Sequence, residues 1–93
     1  MTRWTITWAG TTWTDEDAAL TAADLCRLQI LVGDRWRSAD PWESPLHLVA
    51  MLALLAARDA GVDPLELLPV IQALPAEELL AVLQPREVTV DAV

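Results

Sequence analysis

Lysine, phenylalanine and tyrosine are absent from this sequence, and histidine and cysteine occur once each. Each shortage removes a class of function. Without lysine, all six basic residues are arginines, and they stand against 14 acidic residues for a net charge of −8. A protein that grips phosphate backbones or anionic lipid needs clustered positive charge to displace counterions. This chain has the opposite sign, so neither nucleic acid nor membrane is an expected partner. One histidine and one cysteine cannot assemble the three or four ligands of a zinc site. Cys26 has no internal partner for a disulfide. The three glycines are isolated, so no phosphate-cradling loop is present.

Long hydrophobic runs are lacking too. The longest, residues 48–57, falls well short of the ~20 residues that cross a bilayer. The opening Met-Thr-Arg-Trp-Thr has no apolar signal core. The expected compartment is therefore the cytoplasm, and no cofactor or metal is expected.

What remains is 93 residues, room for one domain, of which 54% are hydrophobic. That fraction is high for so small a sphere, and it predicts apolar surface left over for a partner or for self-association.

Residues 4–14 alternate, with Trp4, Ile6 and Trp8 on one side and Thr5 and Thr7 on the other. This is the period of a half-buried strand. Ala9-Gly10 supplies a turn, and residues 11–14 a return strand, with Gly10 in the turn or in a bulge. Trp4, Trp8 and Trp13 belong to the core of this hairpin. Asp15-Glu16-Asp17 is a solvated connection that lacks the ligand pattern of a calcium loop.

Four helix starts follow. Thr21 is an N-cap with Asp24 at the third position, and Leu25, Leu28 and Val32 form a stripe ended by Gly33. Ser44-Pro45 opens a second helix closed by Gly61, and Asp63-Pro64 opens a third, bent at Pro69. Pro75 restarts the chain, with Glu77 and Glu78 in the first turn of a fourth helix and Leu79, Leu80 and Leu83 as its apolar positions. The fold class is α+β: an N-terminal β-hairpin packed on a small bundle of about four short α-helices, within residues 1–85, followed by a frayed tail at 86–93.

Catalysis finds little to work with. His47 reads as a partly buried helix residue, and Cys26 as a small buried hydrophobe rather than the nucleophile of a Cys–His pair. The chain is expected not to be an enzyme. Interaction surfaces are better supplied. In the second helix Leu48, Met51, Leu52 and Leu55 share one face, while Ala50, Ala53 and Ala57 cluster opposite. A helix apolar all round needs cover all round, and a second subunit or a client helix is expected to provide it. Trp36 and Trp42, in the loop before that helix, are the expected interface anchors. Arg35 and Arg37 flank Trp36 in a loop whose acidic residues Asp34, Asp40 and Glu43 cancel their charge, which favours packing or protein contact over base stacking.

The order of these features carries a likeness. After the Trp/Ile hairpin and the acidic turn come Leu-Thr-x-x-Asp-Leu at 20–25, Gly-Asp-x-Trp at 33–36 and Asp-Pro-Trp-x-Ser-Pro at 40–45. A very apolar helix follows, then Asp-Pro-x-Glu at 63–66 and Leu-Pro-Ala-Glu-Glu-Leu-Leu at 74–80. Over residues 4–83 this resembles the small tail assembly chaperones of tailed bacteriophages, especially those of actinobacterial hosts. The resemblance implies a protein that binds the aggregation-prone tape measure protein in the host cytoplasm and keeps it soluble during virion assembly. It also implies that a short chain such as this is the unshifted product of a frameshifted pair. A structural virion subunit and a small bacterial protein–protein interaction module are the alternatives.

Overall fold

The computed structural model describes residues 3–17, 19–33 and 40–85. Two strands, β1 (Trp4–Trp8) and β2 (Thr11–Thr14), form the expected hairpin, and four helices follow: α1 (Ala22–Val32), α2 (Pro45–Ala60), α3 (Pro64–Gln72) and α4 (Ala76–Val82). The class is α+β, as the sequence predicts. A third strand, β3 (Leu83–Pro85), was not expected. The tail at 86–93 and the Arg35-Trp36-Arg37 segment lie outside the described residues.

Trp8 pairs directly with Thr11, so the hairpin turn has two residues, Ala9 and Gly10, rather than a bulge. Both take positive φ, +50° at Ala9 and +82° at Gly10. This is the twist that a two-residue hairpin requires. On the outer face the Thr7 and Thr12 hydroxyls meet across the strands at 3.0 Å. On the inner face Ile6 is fully buried between its cross-strand neighbours Trp13 and Leu83.

The third strand explains one departure from the sequence reading. Leu83 follows the apolar rhythm of α4, yet the helix stops at Val82 and Leu83 turns extended, with φ −96° and ψ 121°. Pro85 disfavours a helical conformation at the residue before it. Antiparallel to β1, β3 takes up the edge that the hairpin leaves unpaired, giving the sheet order β2-β1-β3.

The helix starts follow their local chemistry. Thr21 Oγ1 accepts from the Asp24 amide, and Asp24 Oδ2 accepts from the Thr21 amide, a reciprocal cap that satisfies two donors at once. Ser44 caps α2 with Pro45 at its first position, and Gly61 ends it in the left-handed conformation. Asp63 caps α3, where Pro69 is accommodated within a helix that runs on to Gln72.

The core forms around α2. From His47 to Ala57 every residue except the half-buried Val49 is buried. The buried residues from Leu48 to Ala56 join Trp4, Ile6 and Trp13 of the hairpin, Leu28 and Val32 of α1, Ile71 of α3, and Val82 and Leu83 in one cluster. The expectation that α2 needs a second chain for cover is therefore corrected. Sheet, α1 and α3 surround it within a single protomer.

Candidate functional site

The seven α2 residues expected to meet a partner all lie inside. Leu48, Ala50, Met51, Leu52, Ala53, Leu55 and Ala57 are at most 2% exposed. No client reaches them while the fold is closed. The surplus apolar surface exists, but it sits on the other helices. An outer helix buries only the stripe that faces inward. Leu25 and Ile30 of α1, Leu65 and Val70 of α3, and Leu80 of α4 consequently stand exposed, with Ile30 and Leu80 about 60% accessible.

Of the two indoles expected at an interface, Trp36 lies outside the described residues, and Trp42 is exposed. Its position follows from the segment around it. Asp40-Pro41-Trp42-Glu43 forms a turn closed by the Glu43 amide donating to the Asp40 carbonyl at 3.1 Å. Proline at the second position and aspartate at the first are what such a turn favours. Asp40 Oδ1 also accepts from the Trp42 amide at 2.8 Å. Pro41 is buried beneath, so the indole projects from an anchored base.

Trp42 stands at an open cleft of about 250 Å³. Pro41, Pro45, Leu48, Leu80 and Leu83 complete its apolar lining, and Glu43 and Ser44 supply the polar groups. Two of the expected site residues, Trp42 and Leu48, thus come together here. Leu80 and Leu83 were not expected at the site, because the chain returns to α2 only through α4 and the unforeseen β3. The volume is smaller than the ~300–1,000 Å³ typical of small-molecule pockets. It suits one or two side chains of a docking segment.

Beneath the cleft, at the start of α2, lies a small polar cluster. Ser44 Oγ is 2.7 Å from His47 Nδ1 and accepts from the His47 amide at 3.3 Å. His47, expected as a partly buried helix residue, is buried. Its Nε2 makes no hydrogen bond, and Glu43 Oε2 lies 3.5 Å away, an electrostatic contact without hydrogen-bond geometry. With Oγ accepting from the His47 amide, the Ser44 hydroxyl proton can turn to Nδ1 in the tautomer that leaves that nitrogen unprotonated. Although serine, histidine and glutamate adjoin, their spacing is that of one helical turn and the hydroxyl is engaged as the N-cap. The cluster fixes the entry of α2 below Trp42.

Cys26 differs from expectation, since it is exposed on α1 rather than buried. Among the described residues no three His, Cys, Asp or Glu side chains gather as metal ligands would, and no helix is long and apolar enough to cross a membrane. Family models, curated proteins and solved structures offer no match to this chain, so the reading of the cleft rests on the residues that form it.

Proposed function

We propose that this chain is a non-enzymatic tail assembly chaperone that binds the tape measure protein through exposed apolar side chains and keeps it soluble in the host cytoplasm while a phage tail is built. The observation that carries the reading is the open cleft walled by Trp42 and Leu80 on an acidic domain of otherwise closed core. A chaperone must offer apolar surface to its client yet stay in solution itself. Exposed Trp42 and Leu80 serve the first need, and the net charge of −8 serves the second. Tryptophan is suited to the task because it brings a large, rigid contact area and is enriched among energetic anchors. The tape measure protein is named as the client on the motif order between residues 4 and 83 alone.

The mechanism differs from capture along α2. That helix is the scaffold, and its N-terminal cap holds Trp42 out where a client segment meets it. The test is co-expression with a phage tape measure protein, followed by measurement of the soluble fraction. The wild-type chain is expected to raise it and Trp42→Ala to lose most of that effect with unchanged thermal stability. An equally insoluble tape measure protein with and without the chain would overturn the proposal. So would recovery of the chain as a stoichiometric part of purified virions, which is the behaviour of a structural subunit.

A further inference from the structure

We infer that the outer edge of β2 is a strand-pairing surface that matches a second copy of this chain and is held shut by Asp17. The inference concerns the sheet and is independent of the Trp42 cleft.

The register of the hairpin sets which backbone groups face outward. Directly opposed residues of an antiparallel pair alternate between exchanging hydrogen bonds and not. The two-residue turn makes Trp8 and Thr11 the first bonded pair, so Ile6 and Trp13 are the next. The Asp15 amide, donating to the Trp4 carbonyl at 3.2 Å, continues the alternation. Thr12 and Thr14 fall between, and their N–H and C=O groups point away from β1. At Thr14 both are taken by one residue. Its amide donates to Asp17 Oδ2 at 3.0 Å, and its carbonyl accepts from the Asp17 amide at 3.1 Å. Thr14 Oγ1 accepts from the same amide at 3.2 Å, which fixes Asp17 over the edge. Thr12, two residues before, presents the same two backbone groups on an exposed residue.

This strand lacks the usual protection of an edge. The sheet order β2-β1-β3 leaves β2 at the rim, and its Thr-Thr-Trp-Thr carries neither a charge nor a proline. Such an edge templates the addition of another strand. The opposite rim, β3, is three residues long and ends in Pro85, which has no amide to donate. Asp17 supplies for β2 what Pro85 supplies for β3.

A second β2 fits the edge by symmetry. Laid antiparallel about Trp13, Thr12 of each copy stands opposite Thr14 of the other, and each of these two pairs exchanges both of its N–H···O bonds. Thr12 and Thr14 lie on the same face of the sheet, so threonine would meet threonine across the junction, as Thr7 and Thr12 already do at 3.0 Å. Every bonded pair in this register needs Thr14. While Asp17 holds Thr14, none forms, and a register centred on Thr12 leaves a single bonded pair.

The experiment is sedimentation velocity of the full chain over a wide concentration range, at low and at high salt. Asp17→Ala is expected to self-associate at least about tenfold more tightly than wild type. The gain should grow in high salt, which screens repulsion between two chains of net charge −8. Asp17→Asn loses the same charge but keeps an oxygen for the Thr14 amide, and it should stay near wild type. Adding Thr12→Pro to Asp17→Ala removes an outward amide that β1 does not use, and is expected to return association to the wild-type level. Asp17→Glu keeps the charge and displaces the carboxylate; it should fall between, and it replaces Asp17→Ala if thermal unfolding shows that variant unfolded. In the wild-type chain the Thr14 amide is expected to exchange with solvent at least about tenfold more slowly than the Thr12 amide.

Association of Asp17→Ala no stronger than that of wild type overturns the inference. So does association that survives Thr12→Pro, because another surface would then carry it. Equal association of Asp17→Asn and Asp17→Ala assigns the effect to lost charge and overturns it too, as does equal exchange of the Thr12 and Thr14 amides.

Discussion

The indole of Trp13 donates its Nε1 proton to Asp59 Oδ2 at 2.9 Å, joining the return strand of the hairpin to the last turn of α2. The two residues are 46 positions apart, so this bond closes a long loop of chain. Trp13 is buried, and this carboxylate satisfies its indole N–H. A hydrogen bond to a charged acceptor contributes about 1.5–3 kcal/mol, and partial exposure places this one near the lower end. Asp59→Ala is therefore expected to cost about 1.5 kcal/mol, whereas Asp59→Asn keeps an acceptor and recovers most of it. Urea unfolding followed by tryptophan fluorescence reads the difference. Equal midpoints for wild type and Asp59→Ala would show that the bond contributes nothing.

Ala9 takes a φ of +50°, the one described non-glycine residue on that side of the map. An L-residue there costs about 1–2 kcal/mol because Cβ crowds the following carbonyl. Asparagine tolerates the conformation, and Asn-Gly is the pair that a turn of this twist prefers. Ala9→Asn is expected to stabilise the protein by about 0.5–1 kcal/mol, raising its melting temperature by a few degrees. Gly10→Ala is expected to act in the opposite direction by about 1 kcal/mol, although a methyl group there would touch nothing. Its cost would come from the backbone alone.

Leu52 and Ala53 are fully buried in α2, and the two directions of substitution test whether α2 is core. Leu52→Ala leaves a cavity and is expected to cost about 2–5 kcal/mol in the isolated chain. Ala53→Leu overfills the same core and is expected to cost about 1–3 kcal/mol. By contrast, Leu65→Ala on the exposed face of α3 should stay within about 0.5–1 kcal/mol of wild type. Were α2 a partner face, the first two would leave the isolated chain unchanged. Denaturant titration of the purified protein decides.

Local chemistry was legible in the sequence because it depends on neighbours in the chain. The Thr21–Asp24 cap, the Ser44-Pro45 and Asp63-Pro64 starts and the hairpin at residues 4–14 follow from residues a few positions apart. The covering of α2 was not legible. An all-apolar helix states that it must be buried and leaves open whether its own chain or another buries it. The single protomer does so by spreading exposure onto α1, α3 and α4, where Ile30, Val70 and Leu80 carry it. β3 escaped for a related reason. Three residues carry no periodicity, and Leu83 becomes a strand residue only because Ile6 lies opposite. The cleft was half legible. Trp42 stood out in the sequence, but the Leu80 wall depends on where α4 packs, and no spacing encodes that.

Ser44 does two things for α2, and the second is visible only in three dimensions. Its Oγ accepts from the His47 amide as N-cap, and it also lies 2.7 Å from the buried Nδ1 of the same histidine. Loss of a serine cap by itself costs about 1 kcal/mol. Ser44→Ala also strands a buried ring nitrogen, a further cost of about 1–2 kcal/mol, so the total expected is about 2–3 kcal/mol. His47→Leu removes the polar ring and isolates the capping term. In that background Ser44→Ala is expected to cost only about 1 kcal/mol, giving a coupling of at least about 1 kcal/mol between the two side chains. Ser44→Asp, which retains an acceptor for the amide, should recover the cap in the His47→Leu background. An identical cost of Ser44→Ala in both backgrounds would reduce the 2.7 Å contact to simple proximity. The cycle also bears on the cleft, because Ser44 lines it and holds the first turn of α2 just beyond Trp42.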